Sequence, residues 1–324
     1  MRLKRGVIGV LMAAGVMVLT ACQGGKREAM RDTSEADVGT HPPALQLRLE
    51  HGEAYRIQIS RELTLFGTVW FENGIRQFLR VGFLVSVVDI DPEGVISLRY
   101  RIEQIRYNFH DAWPGIDYDS ENPDSYGTEE TRTLARLVGK EFPVRVRPTG
   151  EVIEFTGWDE SFLDAITQAR STPESQKRLL EQLNYGEMLE LIQTAYVIFT
   201  TQPRAAGDEW SNLVVDNLEF PIVLENQWTL RSITDKTAYV SLGARIKPAP
   251  GGDQVKICGE TLGHLLIGVQ AGQLVVDEDT GWTREGMITR VMMGERPIHA
   301  FLDSEGKQFR ETIKLETTFT FQPY

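Results

Sequence analysis

Between Phe309 and Phe321 apolar and polar residues take turns. Ile313, Leu315, Thr317, Phe319 and Phe321 share one parity, and Lys314, Glu316, Thr318 and Thr320 share the other. A repeat of two puts every second side chain on one face of a strand and fits no helix. The same alternation marks Leu45, Leu47 and Leu49, then Tyr55, Ile57 and Ile59. Further strands are expected at Leu63–Phe71, Gln77–Val88, Val95–Phe109, Phe142–Val146 and Val152–Phe155. After residue 203 they resume at Glu209–Val215, Pro221–Leu230, Ala238–Ile246, Leu262–Val269, Gln273–Val276 and Gly286–Met293. Alternation of this kind belongs to antiparallel sheets with one face buried. Within Val95–Phe109 the phase flips: Ile96, Leu98, Tyr100 and Ile102 precede Ile105, Tyr107 and Phe109 on the opposite parity. A flip inside one strand marks a β-bulge, and bulges bend sheets, so a strongly curved sheet is expected.

Helical spacing is confined to the middle of the chain. Trp158, Phe162, Ile166 and Ala169 recur at about 3.6 residues. Thr172-Pro173-Glu174 opens a second helix with an N-cap and a first-turn proline, ending near Asn184 with Gly186 at its C-terminus. A third is expected from Glu187 to Phe199, presenting Met188, Leu189, Ile192 and Tyr196. The polar stretch Asp111–Thr131, broken by Pro114 and Pro123, reads as a long loop, and Lys247–Asp253 as a surface loop. The expected class is α+β, mainly antiparallel β: a β-rich half at 44–157, a helical insert at about 158–199 within a 158–204 segment, and a second β-rich half at 205–324. Gly139–Gly157 and Gly263–Gly281 can be superposed as strand, glycine turn, strand and Thr-Gly, an internal echo of the two halves.

Residues 1–22 carry an address. Arg2, Lys4 and Arg5 precede an uncharged run from Val7 to Leu19, followed by Thr20, Ala21 and Cys22. A basic start, an apolar run of about 7–15 residues and small residues before a cut make a secretory signal. At about 1.5 Å per residue the run spans only about 20 Å, short of a hydrocarbon core of about 30 Å. Leu19-Thr20-Ala21-Cys22 resembles the bacterial lipobox. That resemblance implies removal of residues 1–21 and lipid on the sulfur and amine of Cys22. Gln23–Pro43 lacks hydrophobic periodicity and reads as a flexible tether, about 25 Å in coil span and at most about 70 Å when stretched. Gln23 is not the Asp that retains some lipoproteins at the inner membrane, so the expected address is the periplasm-facing cell envelope, with the outer membrane preferred.

Charge points the same way. The chain holds 34 basic and 46 acidic residues, a net charge of −12. Losing Arg2, Lys4 and Arg5 takes it to −15 (−12 − 3). Such a surface argues against nucleic acid and against an electrostatic grip on anionic lipid, so acyl chains must supply the membrane affinity. With Cys22 lipidated, Cys258 has no intramolecular partner and reads as a small buried hydrophobe beside Val255 and Ile257.

The layout resembles a family of uncharacterised bacterial lipoproteins. The shared features are Tyr118-Asp119-Ser120, the Val-x-Val-x-Pro-x-Gly run from Val144 to Gly150, and Gly207-Asp208-Glu209-Trp210. This resemblance implies no activity. A looser likeness is to envelope lipoproteins whose curved sheet wraps helices around an apolar, lipid-accepting cavity.

Motifs for chemistry are scarce. His41, His51, His110, His264 and His299 stand apart, and a zinc spacing is lacking. Asp89, Asp91, Glu93 and Gly94 mimic the start of an EF-hand, but Tyr100 occupies the position of the bidentate acid, so a hairpin turn is expected. Asp117, Asp119, Glu121 and Asp124 make an acidic loop. No nucleophile elbow, lactamase-type Ser-x-x-Lys set or phosphate loop occurs. No catalytic, metal or cofactor residue is therefore assigned, and Cys22 is the one assigned site. Two groups are candidates for binding. Trp158, Phe162, Leu163, Ile166, Met188, Leu189, Ile192, Tyr196 and Phe199 line a cavity for an apolar ligand or else fill the core. Tyr107, Phe109, Trp113, Tyr118 and Tyr126 form a protein-contact surface or else pack on the sheet rim. The expected function is a non-enzymatic envelope module binding an apolar ligand or an envelope protein. The alternative is an envelope hydrolase without a recognisable motif.

Overall fold

A computed structural model describes residues 45–67, 74–110, 115–216, 222–250, 254–257, 260–263, 267–302 and 308–324. The signal, Cys22 and the tether lie outside these residues, as do Ala44, Trp113, Cys258, His41 and His264.

Alternation becomes sheet. The strand with the clearest alternation is β14 (Gln308–Gln322), where Ile313, Leu315, Thr317, Phe319 and Phe321 are all buried. It pairs antiparallel with β1 (Ala54–Gly67), which merges two expected strands into one. From β1 the chain steps outward through β2 (Ile75–Ile90), β3 (Ile96–His110), β5 (Glu141–Val146) and β6 (Val152–Phe155), with β4 (Ile116–Asp119) pairing only to β3. It then crosses to the opposite end of the strand order at β7 (Glu209–Asp216). From there it returns inward through β8 (Ile222–Thr234), β9 (Thr237–Pro248), β12 (Ile267–Asp277) and β13 (Thr283–Leu302) to β14. β10 (Gln254–Ile257) and β11 (Glu260–Gly263) form a separate hairpin. The strands before and after the helices thus belong to one open, antiparallel sheet, joined at β1 and β14.

The expected bulge is present. Gly82 faces Gln104 and Phe83 faces Ile102, leaving Glu103 as the extra residue. Its carboxylate accepts from Arg56 Nε at 3.0 Å and from the Tyr324 hydroxyl at 2.7 Å. Further register shifts fall between Val87 and Asp89 and between Leu230 and Ser232. Asp91–Gly94 is the hairpin turn expected of it: Asp91 Oδ1 accepts from Glu93 N and Val95 N, and Gly94 has φ +82°. Asp235 and Lys236, at φ +50° and +60°, make the primed turn that suits the twist of β8 and β9.

Among the described residues four α-helices follow, one of them unforeseen: α1 (Glu129–Leu137), α2 (Trp158–Ala169), α3 (Pro173–Leu180) and α4 (Tyr185–Thr194). The stretch expected to be a long loop contains β4 and reaches α1, whose buried face is half polar (Thr131, Thr133, Leu134, Leu137), so its period is faint in sequence. Thr128 and Thr131 close a reciprocal capping box there. Thr128→Ala is expected to lower stability by about 1 kcal/mol, read from the shift in urea midpoint. Thr172 caps α3 with Pro173 in its first turn, as expected. Asn184 does not end that helix; it caps α4 through Glu187 N at 3.1 Å, and Gly186 lies inside α4.

Two other expectations fail. Leu45, Leu47 and Leu49 are buried but join no ladder, because their backbone is held by two turns, Leu47 N by Pro148 O and Arg48 N by Thr280 O, each at 2.8 Å. The internal echo dissolves as well: β5 and β6 form a hairpin, whereas β12 runs through Gly272 without turning.

Helices and sheet share one apolar layer. Phe83, Tyr100, Phe142, Phe155 and Trp158 interlock with ring centroids 5.3–6.1 Å apart. The Trp158 indole donates to Leu183 O at 3.2 Å. Trp158, Phe162, Ile166, Met188, Leu189 and Ile192 fill this core, whereas Leu163 is 53% exposed. Among the described residues no helix is long and apolar enough to cross a membrane.

Candidate ligand cavity

Several strands break their apolar phase with one polar residue. In β1 the buried series reads Ile59, Arg61, Leu63; in β2, Ile75, Gln77, Leu79; in β8, Leu224, Asn226, Trp228; in β13, Ile288, Arg290, Met292. Pairing puts most of them on one rung across the sheet: Asn212, Asn226, Ala244, Gln270, Arg290, Thr317, Leu63 and Gln77 are successive cross-strand partners. Arg61 sits two residues off that rung.

Helix α4 meets the rung with two acids. Glu187 pairs with Arg61, and Glu190 pairs with Arg290 through one oxygen and lies 3.5 Å from Arg61 through the other. Arg61 also donates to Gln77 at 2.7 Å, and Arg290 Nε donates to Gln270 at 3.0 Å. Gln182 extends the network by accepting from the Tyr107 hydroxyl at 2.5 Å. Two arginines and two glutamates thus neutralise each other out of water, the condition under which buried charge is tolerated.

Beside this network lies a cavity of about 580 Å³. Leu224, Trp228, Leu242 and Ile288 supply an apolar floor, Asn226, Gln270 and Arg290 a polar stripe across it, and α4 with Tyr196, Ile198 and Phe199 its cover. Of its lining, Glu151, Gln193, Leu213 and Val215 are exposed and mark the mouth. Val152 of β6 and Val214 of β7, from opposite ends of the strand order, both line it. A more open trough of about 1020 Å³ runs over Ser211, Gln227, Gly243 and Arg245.

The segment 196–199 is clamped from both sides. Thr149 O accepts from Phe199 N at 2.9 Å, and the Trp210 indole donates to Ile198 O at 2.6 Å. Gly150, at φ +83°, lets the β5–β6 turn lie against the Val197 carbonyl. Asp208 supports the second clamp by accepting from Ala205 N at 2.9 Å. Two of the three family-like motifs therefore act as staples for the cavity cover. The third, Tyr118-Asp119-Ser120, lies at the end of β4, beside β3 and outside the cavity lining, where Ser120 Oγ accepts from Ile105 N at 3.0 Å.

Of the two binding groups read from sequence, only Tyr196 and Phe199 reach the cavity among the described residues, joined by Thr149 and Gly150 of the Val144–Gly150 run. Tyr107, Phe109 and Tyr118 are buried rather than displayed, and Tyr126 is 38% exposed against Tyr118. Asp117 faces Asn108 and Asp119 lies near Arg106, and among the described residues no three His, Cys, Asp or Glu side chains converge. His51 and His110 are exposed and away from the lining. Missed from sequence were Asn226, Gln270, Arg290 and Glu190. The signal that could have found the first and third is a polar residue in the apolar phase of a strand.

Tyr196 meets Tyr100 hydroxyl to hydroxyl at 2.5 Å. Burial pushes both phenols well above the ordinary tyrosine value, Tyr196 further through Tyr100. With the folded value raised above the unfolded one, their contribution is fully present below about pH 10 and is lost as pH rises through the folded value. Urea midpoints are expected to hold to about pH 9.5 and fall above it, and Tyr196→Phe should make that fall shallower.

These features define a class: an open antiparallel sheet, covered in part by helices, with a half-polar cavity beneath a clamped strap. Residues 93–283 match a family of unknown function, DUF6263, and this chain belongs to that family. No curated protein matches it. Among solved structures, a lipovitellin structure concerned with lipid–protein interactions aligns at 9% identity and a TM-score of 0.48, over 86% of this chain and 25% of that one. DynF from the dynemicin biosynthesis pathway of Micromonospora chersina aligns at 7% identity and a TM-score of 0.20, over 89% of this chain and 88% of that one. This chain thus spans a quarter of the lipovitellin chain. At these scores neither likeness carries an argument.

Proposed function

We propose that this protein is a lipid-anchored module of the bacterial cell envelope that binds an amphiphile without chemically altering it. The observation that carries the reading is the cavity: about 580 Å³, with an apolar floor crossed by a polar stripe, and open at its mouth. Ligand sites fall in the range of about 300–1,000 Å³ and combine apolar walls with a few placed polar groups. The sheet is strongly curved in this reading, its two β-rich halves wrapping the helical insert. Support comes from the bulges and from Val152 and Val214, far apart in strand order, bordering one space. Acyl chains on Cys22 hold the protein at the membrane, with the outer membrane preferred.

Native mass spectrometry tests the binding step. The full-length chain carrying Cys22→Ser, purified without detergent, is expected to release a small hydrophobic mass on denaturation. A bare protein mass, together with no uptake of the neutral dye Nile red, would overturn the reading. Fractionation tests the anchor: wild type should stay with membranes, and Cys22→Ser should be released. Equal retention of both would sink it.

A further inference from the structure

We infer that the cavity selects an uncharged amphiphile whose headgroup carries a hydroxyl, held by the amide of Asn226. This rests on the binding role proposed above. Asn226 is only 6% exposed and stands in the apolar phase of β8 between Leu224 and Trp228, and it lines the cavity. Its Oδ1 is buried with no hydrogen-bond partner. Its cross-strand neighbours do not supply a donor: the Ala244 side chain has no polar group, and the Asn212 amide, whose Oδ1 accepts from the Trp228 indole at 2.7 Å, makes no bond to it. An unpaired buried amide favours any ligand that restores its bond. A hydroxyl donates and accepts, so it satisfies either end of the amide.

Charge decides against the common ionic headgroups. The guanidinium of Arg290 is paired with Glu190 and Gln270, and it lies over the Phe319 ring at 5.6 Å. The lining holds two acids, Glu190 and Glu151, against one arginine. A carboxylate or phosphate entering here meets like charge and must break an existing pair to find a cation. An ammonium gains little in return. Glu190 is engaged by two arginines, and Glu151 at the mouth is paired with Arg147. An alcohol or monoacylglycerol loses the least solvation and gains the one bond on offer.

Displacement of Nile red from the full-length Cys22→Ser chain, in detergent-free buffer, tests this with four probes sharing a twelve-carbon chain. Dodecanol and monododecanoylglycerol are expected to displace the dye at concentrations about tenfold or more below dodecanoate and dodecylammonium. Asn226→Leu should weaken dodecanol by about three- to tenfold relative to dodecanoate. Dodecanoate or dodecylammonium matching dodecanol on the wild type would overturn the inference and leave the cavity role standing, as would unchanged dodecanol affinity in Asn226→Leu. Failure of the dye and of every probe to bind would overturn both. The wild-type ranking needs no variant, so poor folding of Asn226→Leu cannot hide the answer.

Discussion

Arg61→Met is expected to lower the unfolding free energy by about 3–5 kcal/mol, read as a large drop in denaturant midpoint with an unchanged slope. Arg61 is 1% exposed and pairs with Glu187, which is itself 5% exposed. Removing the cation leaves that carboxylate in the apolar layer with its balancing charge gone. It also takes a donor from Gln77 and one of two cations from Glu190. The size of the loss comes from the uncompensated anion rather than from the pair's own worth. A second variant separates the two. Arg61→Met combined with Glu187→Gln removes charge of both signs and should recover a substantial part of the loss. A single variant within about 1 kcal/mol of wild type would mean that water reaches the network.

The same network explains what could be read from the residues and what could not. Alternation in β14 and β1 was visible because those strands bury one face completely, and the flip between Ile102 and Ile105 located the bulge because an extra residue reverses every later side chain. Helices α2 and α4 are legible from their buried apolar faces, and α3 from the Thr172 cap and Pro173. Helix α1 was not: Thr131 and Thr133 stand where a core-facing leucine would, and Thr133 is satisfied by Ser171 at 2.8 Å. Nor was the connection from β6 to β7 at opposite ends of the sheet, since strand order depends on pairings between residues as distant as Leu65 and Leu315. The cavity is assembled from the β5–β6 turn, β6, β7, β8, β9, β12, β13, α4 and the 196–199 strap, and no local window contains it. Legible in the sequence, by contrast, are Asn226 between Leu224 and Trp228 and Arg290 between Ile288 and Met292. A strand that buries one parity should be searched for the polar residue that interrupts it, because that residue has either a partner across the core or a ligand.

Gly150→Ala is expected to lower stability by about 3 kcal/mol or more and to weaken Nile red uptake. Two effects add at this position. The backbone has φ +83°, a conformation that costs an L-residue about 1–2 kcal/mol. A Cβ would also lie 2.1 Å from the Val197 carbonyl oxygen, so one of the two backbones must retreat. Val197 belongs to the 196–199 strap, whose neighbouring Phe199 N is bonded to Thr149 O on the same turn. Moving it pulls Tyr196 and Phe199 from the cavity cover. Gly207→Ala isolates the first effect: φ is +95° there, but nothing lies within 4 Å of the added carbon. It should cost about 1–2 kcal/mol and leave dye uptake intact. Equal losses in the two variants would mean that the turn does not bear on the strap, and the clamp would then have to rest on Trp210 and Ile198 alone.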